Sequence, residues 1–402
     1  MTITVRQSRI TVAILFLAAL TASTSAMAIS PLLPAIADEF GVSIARAGQL
    51  GTVAAIMAML VALVALPFMD RASRVNWLRA QAAVLMLATL VAVLAPSFGW
   101  LAAGRILGGL GGAVVVANCL SALGDFFPDP ARRNRALGII VSAVTTAILV
   151  GLPAIAQIED AAGWRWAFGS LLLPLGLVFA STWLLPSEPR LRTRAAGESV
   201  VARYRRVLGH RPTVWLMTTM ALIVLVYMGW LTYFGAYVED DLGRGARTLG
   251  ALFLAAGALE LVANNLAPAA LARWSVPRIF AAAMIVWTVP MLLTGILVER
   301  LWTVFVAVAA INVGAAILYF VVNALLLDSL PSERGAVMAL NSASINLGAT
   351  LGATGGGLAL TLFDSYGTVY RLLGLILPVA LVTLYGSRGR RSATEVVVLE
   401  PA

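Results

Sequence analysis

Residues 301–327 read LWTVFVAVAAINVGAAILYFVVNALLL, an uninterrupted run without a single charge. Wound as an α-helix at ~1.5 Å per residue it would be ~40 Å long, more than the ~30 Å hydrocarbon layer of a bilayer. Its apolar residues surround the whole helical circumference rather than one stripe, which is the pattern of a helix with apolar surroundings on every side. In lipid the backbone must satisfy its own hydrogen bonds, so the run is expected to be a transmembrane helix.

The rest of the chain repeats the pattern. Its 402 residues are 60% hydrophobic and 12% charged, with a mean hydropathy of +0.93. That is more apolar surface than a soluble core of this length can hide. Twelve spans are expected, near 11–36, 47–69, 77–96, 99–123, 136–158, 166–185, 214–237, 248–271, 278–297, 301–327, 336–361 and 369–387. Arg6, Arg9 and Ala26-Met27-Ala28 also fit a cleavable signal, but Ile29 to Ala37 prolong the apolar run, so the first stretch is read as a span.

The charges orient these spans. All 28 basic residues are arginines, and 21 of them fall on the side that carries both termini. Six lie opposite (Arg46, Arg165, Arg244, Arg247, Arg300 and Arg371), and Arg105 lies inside a span. An excess of arginine in cytoplasmic loops places both termini in the cytoplasm of an inner-membrane protein. Anionic headgroups account for the pI near 10.5, so nucleic acid is not expected as a partner.

Composition removes several chemistries. Without lysine there is no Walker lysine and no Schiff base, and ATP hydrolysis by this chain is not expected. One histidine, His210, and one cysteine, Cys119, cannot form a disulfide or a Cys/His metal cluster. Cys119 reads as a small packing residue. No cofactor or metal is expected.

The chain repeats itself at an offset near 202 residues: Gly41 and Gly48 match Gly243 and Gly250, and Arg71-Ala72-Ser73-Arg74 matches Arg273-Trp274-Ser275-Val276. Asp125, closing the fourth span, matches Asp328, closing the tenth, at 203. The expected fold is therefore an all-α membrane protein of twelve transmembrane helices in two pseudo-symmetric six-helix bundles, residues 1–187 and 212–402, the second with a short tail. In the joint, 188–211, Val200, Val201, Tyr204, Val207 and Leu208 share a helical face. Either a short amphipathic helix on the membrane surface or a solvated charge run fits that pattern.

Two six-span halves with a basic joint resemble the major facilitator superfamily. Pro67-Phe68-Met69-Asp70-Arg71-Ala72-Ser73-Arg74 looks like the family signature G-x-L-a-D-R-x-G-R, with Leu66 and Ser73 at its glycine positions. The resemblance implies an inner gate latch of Asp70, Arg71 and Arg74 with Asp125, whose alternative is a surface ion-pair cluster. Arg105-Ile106-Leu107-Gly108-Gly109-Leu110-Gly111 is similar to the family's R-x-x-x-G-x-G, whose arginine is linked to proton movement. Gly163-Trp164-Arg165-Trp166-Ala167-Phe168, Ser30-Pro31-Leu32-Leu33-Pro34-Ala35-Ile36-Ala37 and Pro331-Ser332-Glu333-Arg334-Gly335 with the run Asn341 to Gly348 look like the twelve-span drug and sugar efflux branch. The G-P-x-x-G-G motif of the fifth span is reduced to Gly151-Leu152-Pro153.

Glu260 stands about twelve residues into the eighth span, and a charge at that depth costs ~2.5 to 3.5 kcal/mol on insertion scales. It is the expected proton carrier; the alternative is a packing hydrogen bond with Asn264 one turn on. Arg105 is read as its companion in coupling, as an anchor for an anionic solute, or as a structural group. The resemblance implies that the first, fourth, seventh and tenth helices line the cavity. That directs attention to Thr21, Ser25, Asn118, Tyr227, Trp230, Tyr233, Asn312, Tyr319 and Asn323, though Tyr233 also fits an interfacial anchor. Aromatic faces with sparse donors suit a moderately apolar organic solute. Glycines four apart, Gly104-Gly108-Gly112 and Gly348-Gly352-Gly356, read as close helix contacts.

The expected function is proton-coupled efflux of a small organic solute, a drug-like compound or sugar derivative, by alternating access. An uptake symporter or facilitator of the same fold is the alternative. An enzyme is not expected, since the spans offer almost no ionisable groups beyond Glu260 and Arg105. The expected partners are the solute, protons and the lipid bilayer, with the chain a monomer.

Overall fold

The structure is a computed structural model and describes residues 5–71, 73–127, 130–185, 200–294, 296 and 300–387. The first span is two helices, α1 (Val5–Met27) and α2 (Ile29–Phe40), followed by α3 (Ile44–Arg71) and α4 (Arg74–Val93). The fourth is α5 (Phe98–Gly112) with α6 (Val115–Phe126), and the fifth is α7 (Pro130–Thr146), a π-helical turn over Ala147–Gly151, and α8 (Leu152–Ala162). The sixth is α9 (Trp164–Gly169) with α10 (Leu172–Ser181), and α11 (Val200–Gly209) lies in the joint. The second half comprises α12 (Arg211–Asp240), α13 (Ala246–Arg273), α14 (Val276–Leu293), α15 (Leu301–Ser329), α16 (Arg334–Phe363) and α17 (Tyr366–Ser387).

Among the described residues, eleven spans are long and apolar enough to cross a membrane by length and composition. The twelfth, α16, has the length, thirty residues, but carries Asn341, Ser342, Ser344, Asn346, Thr350 and Thr354, which lower its hydropathy. It is held by packing rather than by greasiness. A Cβ added at Gly348 would stand 2.3 Å from the Ala221 carbonyl oxygen and one at Gly352 2.2 Å from that of Leu225, so α16 meets α12 backbone to backbone.

The breaks in the spans have local causes. Pro31 and Pro34 lack the N–H that would bond the carbonyls of residues 27 and 30, and the first span is interrupted at Ala28. Pro153 follows the π-helical turn of the fifth span, where a wider turn accommodates the missing donor. Gly41, which closes α2, and Gly243, which follows α12, both have φ of +59°, a left-handed conformation that glycine adopts without Cβ strain. The same turn thus stands at the same place in both halves.

The halves meet along three seams, α3 with α16, α8 and the π turn with α13, and α2 with α12. A continuous apolar core runs through both, filled by Trp287, Tyr233, Tyr370, Phe234 and Phe253. Cys119 is wholly buried in it. On the face that carries the termini, α11 turns Val207 inward and leaves Val201 and Leu208 exposed. Its Arg203 and Arg206 grip the buried Glu333 at 3.0 and 2.5 Å, while the Tyr204 hydroxyl donates to the Leu63 carbonyl of the other half at 3.3 Å.

Candidate functional site

Glu260 sits in the middle of α13, on the side that faces the first half rather than lipid. Thr145 of α7 donates to its Oε1 at 3.3 Å, and Asn264, one turn further along α13, donates through Nδ2 to the Thr145 hydroxyl at 3.2 Å. Glu260 and Asn264 thus meet through a hydroxyl of the opposite half. The other carboxylate oxygen, Oε2, is buried and has no hydrogen-bond partner. A carboxylate so placed has one site held and one open to a proton or a donor.

Around it the second half supplies an aromatic and amide wall. The charge of Glu260 is felt by Tyr227 of α12 and Tyr319 of α15. Tyr227 donates to Asn312 Oδ1 at 3.0 Å, and Asn312 in turn donates to the Val308 carbonyl at 2.8 Å. Trp230 and Trp287 flank Tyr227, with ring centroids 5.8 and 6.1 Å away. Asn323 donates to the Tyr319 carbonyl at 2.9 Å and accepts from Asn341 of α16 at 3.4 Å. Tyr319 is 44% exposed. Asn312, Tyr319 and Asn323 lie seven and four residues apart and so share one face of α15.

Tyr233 stands apart from this wall. It is wholly buried, its hydroxyl donates to the Ala353 carbonyl at 2.8 Å, and its ring packs against Gly48, Gly356 and Gly357 in the α3–α16 seam.

The first-half candidates are bonded within their own half. Arg105 donates from Nη1 to the Ser25 carbonyl at 3.2 Å and from Nη2 to the Ala26 carbonyl at 3.5 Å, with its guanidinium 5.6 Å from the Phe168 ring centre. It therefore tends carbonyls beside the proline-made break in the first span, and it does not meet Glu260. Thr21 donates back to Leu17 at 2.7 Å, Ser25 is buried, and Asn118 bonds the Arg74 carbonyl at 3.0 Å and Gln81 at 3.3 Å. The side chains of Asp70, Arg71 and Asp125 lie outside the described residues, and Arg74 begins α4 beside them.

Three residues that sequence reasoning did not assign to the site belong to it. Thr145 is an ordinary polar residue in an apolar run, without any pattern to single it out, and Asn341 stands out in the sequence only as the first residue of the family-like run to Gly348. Trp287 could be recognised as a partner of Tyr227 only once α12 and α14 were placed.

The matches to known proteins agree with this architecture. The profile described as Major Facilitator Superfamily matches residues 15–276 and 240–397. The chain belongs to the major facilitator superfamily. An uncharacterised MFS-type transporter of Bacillus subtilis, YbcL, is 24% identical over 280 residues, 68% of this chain and 69% of that protein. A probable sugar efflux transporter of Pasteurella multocida is 24% identical over 367 residues, 88% of each. Among solved structures, a bacterial homologue of the human lysosomal transporter Spinster, in an inward-facing and unoccupied conformation, superposes with a TM-score of 0.74 at 19% identity, covering 96% of this chain and 98% of that one. This superfamily member is thus a multi-pass membrane transporter, and its helical spans form the two bundles of that fold.

Proposed function

We propose that this transporter couples inward proton movement to the export of a small, moderately apolar organic solute, a drug-like compound or sugar derivative, by alternating access. The observation that carries the reading is Glu260: a carboxylate in mid-span, at the contact of the two halves, with one buried oxygen unpartnered. Protonation at that oxygen would favour one access state and ionisation the other, so the proton gradient shifts the balance between them. The aromatic and amide wall of Tyr227, Trp230, Asn312, Tyr319 and Asn323 suits a solute held by burial and oriented by few hydrogen bonds. Thr21, Ser25, Asn118 and Arg105 support the first-half scaffold, and Tyr233 supports the α3–α16 seam between the halves.

The arginine asymmetry favours an inner-membrane protein with both termini cytoplasmic. On that orientation Asp70, Arg71, Arg74 and Asp125 stand at the cytoplasmic ends of their helices and act as the latch of the inner gate. The name of the Pasteurella relative is in keeping with export. The reduced fifth-span motif, Gly151-Leu152-Pro153, favours a second reading, an uptake symporter or facilitator, because the glycines associated with antiport are missing.

The test is uptake and efflux of a labelled compound panel in proteoliposomes under an imposed pH gradient. Glu260→Gln is expected to abolish gradient-driven export while preserving downhill exchange. Concentrative transport by that variant at the wild-type level would reject Glu260 as the proton site, and uptake along the proton gradient would favour the second reading.

A further inference from the structure

Thr145 and Thr146 are neighbours on α7 with different habits. Thr146 donates back to the Ser142 carbonyl of its own helix at 2.8 Å, the ordinary resting place of a threonine hydroxyl in an apolar helix. Thr145, 3% exposed, instead sends its single proton across the seam to Glu260 and takes the Asn264 amide on its lone pair. Among the described residues it is the group of the first half bonded to that carboxylate.

The chain immediately beyond Thr145 is unusual as well. The π-helical turn Ala147–Gly151 brings the Leu149 backbone against Gly257, where an added Cβ would stand 2.5 Å from the Leu149 Cα. Gly257 lies one turn before Glu260. The polar clasp and this close backbone approach thus stand about one turn apart.

We infer that Thr145 is the positioning residue by which the first half senses whether Glu260 carries its proton, an inference that rests on the proton-site reading of Glu260. With the carboxylate ionised, the Thr145 hydroxyl makes a charge-assisted bond and α7 is held to α13. A hydronium ion reaching the open Oε2 gives up one O–H bond as the carboxyl O–H bond forms, and leaves as water. The bond from Thr145 then becomes a neutral one of about half the strength, and the seam between α7 and α13 loosens.

The titratable neighbours leave this assignment intact. The phenols of Tyr227 on α12 and Tyr319 on α15 are those that feel Glu260. On α7 and α8, Arg132 and the pair Glu159 and Asp160 stand near opposite membrane faces, about four turns from Thr145. Arg278 opens α14 and Asp328 closes α15. No basic group bonds the carboxylate among the described residues.

The test is a pH titration of the distance between spin labels on Ile139→Cys of α7 and Leu266→Cys of α13, in the full chain in liposomes. Ile139 and Leu266 are exposed and lie on the termini side of the clasp. Wild type is expected to show one pH-dependent change in distance, lost in Glu260→Gln. Thr145→Val, the same shape without the hydroxyl, removes a bond that favours the ionised form, so the midpoint moves to higher pH by about one unit, and Thr145→Ser restores it. Asn264→Leu, which leaves the hydroxyl one partner short, moves it the same way by less and serves if Thr145→Val does not fold. A midpoint in Thr145→Val or Asn264→Leu equal to that of wild type overturns the role of Thr145 while leaving Glu260 as the proton site. A full pH response in Glu260→Gln overturns both.

Discussion

Gly257 of α13 lies against the backbone of Leu149, so close that a Cβ there would approach the Leu149 Cα to 2.5 Å and its nitrogen to 2.6 Å. The neighbouring atoms are main chain of a π-helical turn, which cannot swing aside as a side chain can. The eighth span can reach the fifth at this depth only because position 257 has no side chain. The seam that carries Glu260 is built on that approach.

Gly257→Ala is therefore expected to push the two helices apart and to cost about 1 to 3 kcal/mol, the usual penalty of overpacking. A fall in thermal stability in detergent, with a longer distance between labels on α7 and α13, checks it. A variant as stable as the wild type and with an unchanged distance would show that the helices have room to spare.

Arg105 is buried, with Nη1 and Nη2 donating to the Ser25 and Ala26 carbonyls beside the break between α1 and α2 and Nε left without a partner. Removing it in Arg105→Ala strands those carbonyls and is expected to cost about 3 kcal/mol. Arg105→Lys keeps the charge but not the planar fork, and should recover only part of that stability. Melting curves of the two variants decide it: equal melting points for lysine and arginine would mean that charge alone matters.

The Tyr233 hydroxyl bonds the Ala353 carbonyl inside the seam of α3 and α16. Tyr233→Phe keeps the ring against Gly48 and Gly357 and loses one hydrogen bond, with an expected cost of about 1 kcal/mol. Because the ring bridges the halves away from the termini, the loss should raise labelling of cysteines placed at Gln49 or Thr354. An unchanged labelling rate would mean that the ring, not the hydroxyl, closes that face.

Glu333 sits between Arg203 and Arg206, whose hydrogen bonds and charges hold its carboxyl below the usual carboxylate range against the pull of partial burial. A group lowered on folding stabilises the fold above its ordinary value of about 4.3 and loses that contribution as the pH falls through its lowered value. Wild type should lose melting temperature across that acid window more steeply than Glu333→Gln, with a difference of about 1 kcal/mol, since Arg206 is partly in solvent. Parallel melting profiles for the two proteins would count against a stabilising role for the contacts of Glu333 with Arg203 and Arg206. Glu39, where Trp164 and Arg165 outweigh partial burial in the same direction, should behave alike on the opposite face.

The spans were legible because lipid imposes one simple demand, a long apolar helix, and residues 301–327 or 214–237 answer it without ambiguity. Glu260 was legible for the same reason, as a charge standing where charges are costly. Its setting was not: the Asn264 neighbour four residues on could be foreseen, but Thr145 is 115 residues away and enters only when the fifth and eighth spans are packed. The carbonyl role of Arg105 was hidden likewise, because its partners are main-chain carbonyls of Ser25 and Ala26 in the last turn of α1, which leave no side-chain pattern. The π turn at Ala147–Gly151 follows from hydrogen bonding five residues apart and from contact with Gly257, neither of which the local sequence encodes. Gly41 and Gly243, by contrast, were matched by offset alone and share one left-handed turn.

Cys119, the sole thiol of the chain, is sealed in the first bundle with no surface open to solvent. Maleimide dyes, nitroxides and mercurials added to the folded protein should pass it by, so reporter groups can be installed one site at a time in the native sequence. The transporter comes already equipped for spectroscopy, with no thiol-free background to be engineered first.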